Sequence, residues 1–220
     1  LRDIEAMPHG LLFWRSMTHW LGGMGIVVLS LAILPLLGVG GMQLYKAEVP
    51  GPTKDRLSPR IAETAKILWG VYLLLSAVET GLLMLGGLSL FDALCHTFGS
   101  MATGGFSTKN ASIAHYNSLY IELVIILFMF LAGVNFSLHY RFLRGKRDAY
   151  HMDHEFRFYL FFTLASILLV AIILFFSRSS GIGASLRSAA FQVVSIMTTT
   201  GFGSDDFELW HPAGQLIMIF

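Results

Sequence analysis

Leu21 to Gly41 (LGGMGIVVLSLAILPLLGVGG) contains no charged residue, and three later stretches come close to the same state. Ile67 to Gly87 carries only Glu79, Leu119 to Leu138 is apolar apart from Glu122 and Asn135, and Phe158 to Phe176 is uninterrupted. About 20 helical residues cross a hydrocarbon core of about 30 Å. Each stretch therefore predicts a membrane-spanning helix, the first starting near Leu11, and a fifth apolar run begins near Trp210. An integral, all-α membrane protein in a lipid bilayer is the only class that accommodates this pattern, because lipid-exposed backbone must satisfy its own hydrogen bonds.

Composition excludes the competing classes. Charged residues make up 13% of the chain and hydrophobic ones 55%, against about 25% charged in soluble domains. With a net charge of +1 and its Lys and Arg residues in discrete blocks, the chain offers no electrostatic footprint for nucleic acid. The single cysteine, Cys95, allows no intrachain disulfide, and the 8 histidines are too scattered to suggest a metal site. Neither a nucleophile with its base nor a helical HExxH pair is present, which argues against an intramembrane enzyme. The chain opens on Leu1 and stops at Phe220 inside an apolar run, so it reads as a fragment.

Basic residues fix the orientation. Lys46, Lys54, Arg56, Arg60 and Lys66 crowd the first connection, and Arg141, Arg144, Lys146, Arg147 and Arg157 the third; both read as cytoplasmic. The segments after Gly87 and Ser177, holding only Lys109, Arg178 and Arg187, face outside. Pro50, Pro52 and Pro59 predict an extended first cytoplasmic loop. The outward segments Ser89 to Met101 and Ala184 to Met197 are helix-compatible but too short to cross, and Ser89 with Asp92 has capping-box spacing. Each leads into a small-residue stretch, ATGGF at 102–106 and TTTGF at 198–202.

A shift of 96 residues superposes the two copies: Gly87 on Gly183, Ser89 on Ser185, Met101 on Met197, Thr103 on Thr199, Gly105 on Gly201, Phe106 on Phe202. The two are same-direction repeats, and a weaker echo links LGGMGI at 21–26 with LAGVNF at 131–136. The expected organisation is the second span of one unit at 1–41, then a cytoplasmic loop at 42–61. A complete unit follows at 62–143, with pore helix 89–101 and filter 102–106. After a second cytoplasmic loop at 144–155 comes a third unit at 156–220, with pore helix 184–197, filter 198–202 and the start of its second span. Irregular backbone at membrane depth must be buried in protein or line water. Re-entrant loops around a central pore meet that condition, with backbone carbonyls replacing the hydration shell of a monovalent cation and the negative ends of the short helices aimed at the ion.

These residues resemble the Trk/Ktr/HKT superfamily of potassium transporters, and within it the membrane subunits of bacterial Trk systems. The resemblance rests on FWRSMTHWLGGMGI at 13–26, GGMQLYKAEVPGP at 40–52, SPRIAETAKILW at 58–69 and the two loops with their helices. It implies a K+ uptake protein of the bacterial plasma (inner) membrane, with four span–pore helix–span units in the whole protein and no organic cofactor in this chain. It further implies a K+ filter here of Ala102, Thr103, Gly104 and Gly105 with Thr198, Thr199, Thr200 and Gly201. It also implies a cytoplasmic nucleotide-binding regulatory subunit docked on the inner face, and a homodimer. A symporter of K+ or Na+ coupled to H+ or Na+ on the same scaffold is the alternative.

Phe106 and Phe202 are expected to wedge the filter from behind. Glu79 and Asn135 are candidates for an intramembrane polar role, with a structural hydrogen bond as the competing reading; His139 raises the same choice. Arg15 and His19 read as structural, His115 and His211 as the outer starts of the following spans, and Gly22, Gly23 and Gly25 as close helix contacts. Asp205, Asp206 and Glu208 either gather cations outside the filter or cap a helix starting near Trp210.

Overall fold

A computed structural model describes residues 3–33, 57–178, 181–207 and 210–217. Regular structure among them is entirely helical. In chain order it comprises α1 (His9–Ile33), α2 (Leu57–Leu85), α3 (Leu90–Met101), a 3-10 turn (Ser112–Tyr116), α4 (Leu119–Ala132) and α5 (Phe136–Leu143). It continues with α6 (Ala149–Met152), α7 (His154–Arg178), α8 (Ile182–Met197) and α9 (Pro212–Ile217). Among the described residues two helices are long and apolar enough to cross a membrane, Ala65–Leu85 within α2 and His154–Ser177 within α7. On α7, Phe161, Leu164, Leu168, Ile172 and Phe175 form an exposed stripe at helical spacing, while Thr163, Val170 and Leu174 face inward. A soluble fold would cover such a stripe; a lipid-facing helix leaves it open.

The short helices sit inside the bundle. α3 packs against α1 and α2, and α8 packs in the same way against α4 and α7, so each is held between two other helices. Met24, Tyr72, Leu83, Ala93, Ile125, Phe191 and Phe202 belong to one buried core spanning both groups. Ser89 caps α3 as its spacing with Asp92 predicts, accepting the Asp92 N–H at 3.1 Å while its hydroxyl donates to the Asp92 carboxylate at 2.9 Å.

Five boundaries differ from the sequence expectation. The first connection is not extended up to residue 61, because α2 reaches back to Leu57. Pro59 is tolerated there, since the N–H groups of a first helical turn have no partner to lose. The rest of that connection, with Lys46, Lys54 and Arg56 and the end of the first span, lies outside the described residues. The second connection holds the short helix α6, and α1 starts at His9, slightly ahead of Leu11.

The largest difference concerns Leu119 to Leu138, which is two helices bent by 102° and not one span. Gly133 ends α4, donating its N–H to Met129 and Leu131 carbonyls, and Asn135 starts α5 by accepting the Ser137 N–H at 3.0 Å. A glycine, weak in a helix interior, and a helix-start residue two positions on outweigh the apolar run. His139 then closes the corner. Its Nε2–H donates to the Leu131 carbonyl at 3.0 Å and its Nδ1 accepts the Tyr150 hydroxyl at 2.7 Å, a tautomer assigned from those partners. Finally, α9 starts at Pro212, so Asp205 and Asp206 do not cap it. His211 does, its Nδ1 accepting the Ala213 N–H at 3.2 Å; Glu208 lies outside the described residues.

Candidate functional site

The two small-residue loops have one backbone conformation. Ala102 and Thr198 end their helices at φ −85°. Thr103 (φ 52°) and Thr199 (φ 58°) are left-handed, and so are Gly105 (φ 63°) and Gly201 (φ 86°); Gly104 and Thr200 between them are not. The hydrogen bonds repeat as well. Thr103 N–H returns to the Ser100 carbonyl at 3.1 Å, and Gly104 and Gly105 N–H to the Gly99 carbonyl at 2.8 and 3.2 Å. In the second loop Thr199 N–H returns to Ile196 at 2.9 Å, and Thr200 and Gly201 N–H to Ser195 at 2.8 and 3.2 Å.

Alternating handedness turns successive N–H groups to one side of a chain and successive carbonyls to the other. Here the N–H side folds back on the helix end. Among the described residues no hydrogen bond reaches a carbonyl oxygen of residues 102–105 or 198–201. A β-branched residue held left-handed costs about 1–3 kcal/mol, and such strain concentrates where a loop has work to do. Two threonines in that state, at matching positions, mark these loops as the candidate site.

Surrounding residues hold the loops tightly. A Cβ at Gly105 would lie 2.1 Å from the Thr200 carbonyl oxygen, so the loops touch. One at Gly104 would lie 1.7 Å from His19 Cε1, which places the His19 ring directly against the first loop. Gly23 brings α1 onto Ala102, with its hypothetical Cβ 3.0 Å from Ala102 Cα, whereas among the described residues nothing lies within 4 Å of a Cβ at Gly22 or Gly25. Phe202 is 1% exposed, buried against Gly99 and His96. Phe106, at 37%, is instead clasped by the His19 ring at 4.7 Å and the Arg15 guanidinium at 4.5 Å, so the two phenylalanines are not equivalent wedges. The Thr198 hydroxyl donates to the Val194 carbonyl at 2.8 Å and accepts from Thr200 at 2.7 Å, which keeps both side chains turned into the protein.

Past each loop the chain is latched to its own short helix. His96 Nδ1–H donates to the Asp92 carbonyl at 2.7 Å and Nε2 accepts the Ser107 hydroxyl at 3.0 Å, while Arg15 donates to the Ser107 carbonyl at 2.8 Å. Gln192, 96 residues after His96, does the same with the Asp205 carbonyl at 2.8 Å. Asp205 itself accepts the Trp210 indole N–H at 3.1 Å. His115 lies in the 3-10 turn rather than at a helix start. The loops are joined outside by Ile113 and Ala114 N–H donating to the Gly203 carbonyl at 3.0 and 3.2 Å, and nearby Arg187 forms a two-pronged pair with Glu122 at 2.7 and 2.8 Å.

Of the two intramembrane candidates, Asn135 is the cap of α5. Glu79 is 0% exposed and receives the Ser100 hydroxyl at the end of α3, its other oxygen buried and without a hydrogen-bond partner among the described residues. Sequence reasoning passed over the roles of His19, His96 and Arg187. For His96 a signal existed in the match with Gln192; for the others spatial neighbours were needed.

The family model for TrkH, described as cation transport protein, matches residues 1–220. The chain belongs to the TrkH family. Its members are transport proteins of the membrane, not enzymes. The Trk system potassium uptake protein TrkH of Escherichia coli (strain K12) is 44% identical over 214 residues, which cover 96% of this chain and 44% of that protein. TrkH of Halomonas elongata is 46% identical over 215 residues, covering 97% and 45%. The crystal structure of the potassium transporter TrkH from Vibrio parahaemolyticus superposes with a TM-score of 0.86 at 36% identity, covering 99% of this chain and 44% of that one. The chain thus spans less than half the length of these relatives.

Proposed function

We propose that the chain forms part of a K+ uptake pore in the bacterial inner membrane, with residues 102–105 and 198–201 supplying the filter through their backbone carbonyls. The observation that carries this reading is the pair of matching loops, with eight carbonyls that have no hydrogen-bond partner among the described residues and the N–H groups folded away. A dehydrated monovalent cation is stabilised by such oxygens. α3 and α8 are then pore helices whose carbonyl ends approach the ion, flanked by spans in the units 62–143 and 156–220, after the closing span of another unit at 1–41. The related proteins' names as potassium uptake proteins support K+ as the cargo.

A cytoplasmic nucleotide-binding regulator and a homodimer belong to the same proposal, and the word "system" in those names supports a multi-component assembly. Arg141, Arg144, Lys146 and Arg147 are exposed on the face read as cytoplasmic, available to a regulator or to anionic lipid. Symport coupled to H+ or Na+ is a second reading, and the buried carboxyl of Glu79 is the observation in its favour.

The test is uptake of K+ and Na+ by the full-length polypeptide in a bacterium lacking its own K+ uptake, with Gly105→Ser and Gly201→Ser. Growth at low K+ that weakens, with a lowered K+/Na+ ratio, in either variant supports the filter. A membrane-inserted wild type that carries no K+ with its regulator supplied overturns K+ transport. K+ transport unmoved by both variants overturns only the filter placement.

A further inference from the structure

Glu79 lies in α2 and is fully buried, yet among the described residues its carboxyl has one hydrogen-bond partner, the Ser100 hydroxyl. Ser100 occupies the last turn of α3, next to the point from which the first loop hangs: its own carbonyl receives Thr103 N–H and that of Gly99 receives Gly104 and Gly105 N–H. We propose that Glu79 is a positioning residue for the filter, fixing Ser100 and through it the orientation of the Thr103 peptide and the carbonyls that follow. The inference rests on the filter reading above.

Three observations support the assignment. An ionisable group at membrane depth is costly to keep and is retained for a reason. At the positions 96 residues on stand Phe175 and Ile196, so a short helix of this kind packs without the carboxyl, and the pair is not a requirement of the fold. The third is hydrogen-bond accounting. The Ser100 hydroxyl has one proton and two close acceptors, Glu79 Oε1 and the His96 carbonyl at 2.9 Å. Both are served at once when the side chain at 79 contributes a donor of its own to the Ser100 oxygen, and a glutamine amide has one permanently. A positioning role of this kind asks for a hydrogen-bonding group at position 79 and not for its charge, which separates it from H+ coupling.

The experiment measures K+ and Na+ uptake by the full-length protein, at matched membrane expression and at pH 6 to 8, for Glu79→Gln, Glu79→Ala, Ser100→Ala and the Glu79→Ala/Ser100→Ala double variant. Glu79→Gln should keep the wild-type K+/Na+ ratio and pH profile. Each alanine variant should lower the ratio about tenfold, the factor one buried hydrogen bond is worth, with the half-saturating K+ concentration rising more than the maximal rate falls. The double variant should be no worse than either single. Ser100→Ala removes one oxygen and leaves the helix intact, so it answers the question even where Glu79→Ala fails to reach the membrane. A Glu79→Gln as defective as Glu79→Ala, or a Ser100→Ala with the wild-type ratio, overturns the proposal. If Gly105→Ser alters the ratio while Ser100→Ala does not, the filter stands and the Glu79 role falls; if Gly105→Ser and Gly201→Ser are both silent, it is the filter reading that falls.

Discussion

At the scale of single residues, matching positions in the two loops carry different loads. Gly105 and Gly201 share a left-handed backbone, where a side chain costs about 1–2 kcal/mol. Only Gly105 is also pressed against its neighbour, the Thr200 carbonyl; a Cβ at Gly201 meets nothing within 4 Å. Gly105→Ser should therefore damage uptake and expression more than Gly201→Ser, a ranking read from K+ uptake curves normalised to protein in the membrane. Phe202, sealed in the core, should likewise cost about 3–4 kcal/mol on truncation to alanine. Phe106, partly exposed between Arg15 and His19, should cost clearly less, as thermal unfolding of the purified full-length protein in detergent would register.

At the scale of elements, the corner between α4 and α5 is the piece most dependent on close contact. A Cβ on Gly133 would fall 2.7 Å from the Tyr159 hydroxyl and 3.4 Å from Thr198 Cγ2, so the broken helix, α7 and the base of the second loop meet at one point. Gly133→Ala should lower both thermal stability and transport, and adding Tyr159→Phe should recover part of each by removing the oxygen in the way. A double variant as poor as Gly133→Ala alone would mean that the glycine serves the bend and not the clearance. His139 works on the same corner, adding its ring N–H to the Leu131 carbonyl, which also accepts the Val134 N–H at 3.0 Å where the helix breaks.

At the scale of the molecule, the ties between the stretch from α2 to α5 and that from α7 to α9 include the loop bonds to Gly203 and the pair of Arg187 with Glu122. Glu122 is 3% exposed in the first turn of α4, where the helix dipole favours a carboxylate. Arg187 is partly open to solvent. Losing the arginine strands a buried charge, so Arg187→Gln should destabilise by about 2 kcal/mol and Glu122→Gln by less, measured as unfolding of the detergent-solubilised protein. Orientation is tested separately with a membrane-impermeant maleimide: a cysteine replacing Lys109 should label in intact cells, and one replacing Lys146 only after permeabilisation. The reverse pattern would invert the topology and put the loops on the wrong side for uptake from outside.

The all-helical membrane class, the short helices and the two loops were legible without coordinates, because hydropathy, capping spacing and a repeat are properties of residues along the chain. Ser89 and Asp92 announced the start of α3 locally, whereas the break between α4 and α5 was not read, because the apolar run around Gly133 and Asn135 matched a single span. Contacts between residues far apart in the chain could not be read in this way. That His19 lies on Gly104, that Gly105 meets Thr200, and that Glu79 finds Ser100 follow from how α1, α2 and the second loop pack around α3. Periodicity places a residue on a face of its own helix; which partner that face meets is settled by the packing of helices that sequence patterns leave independent.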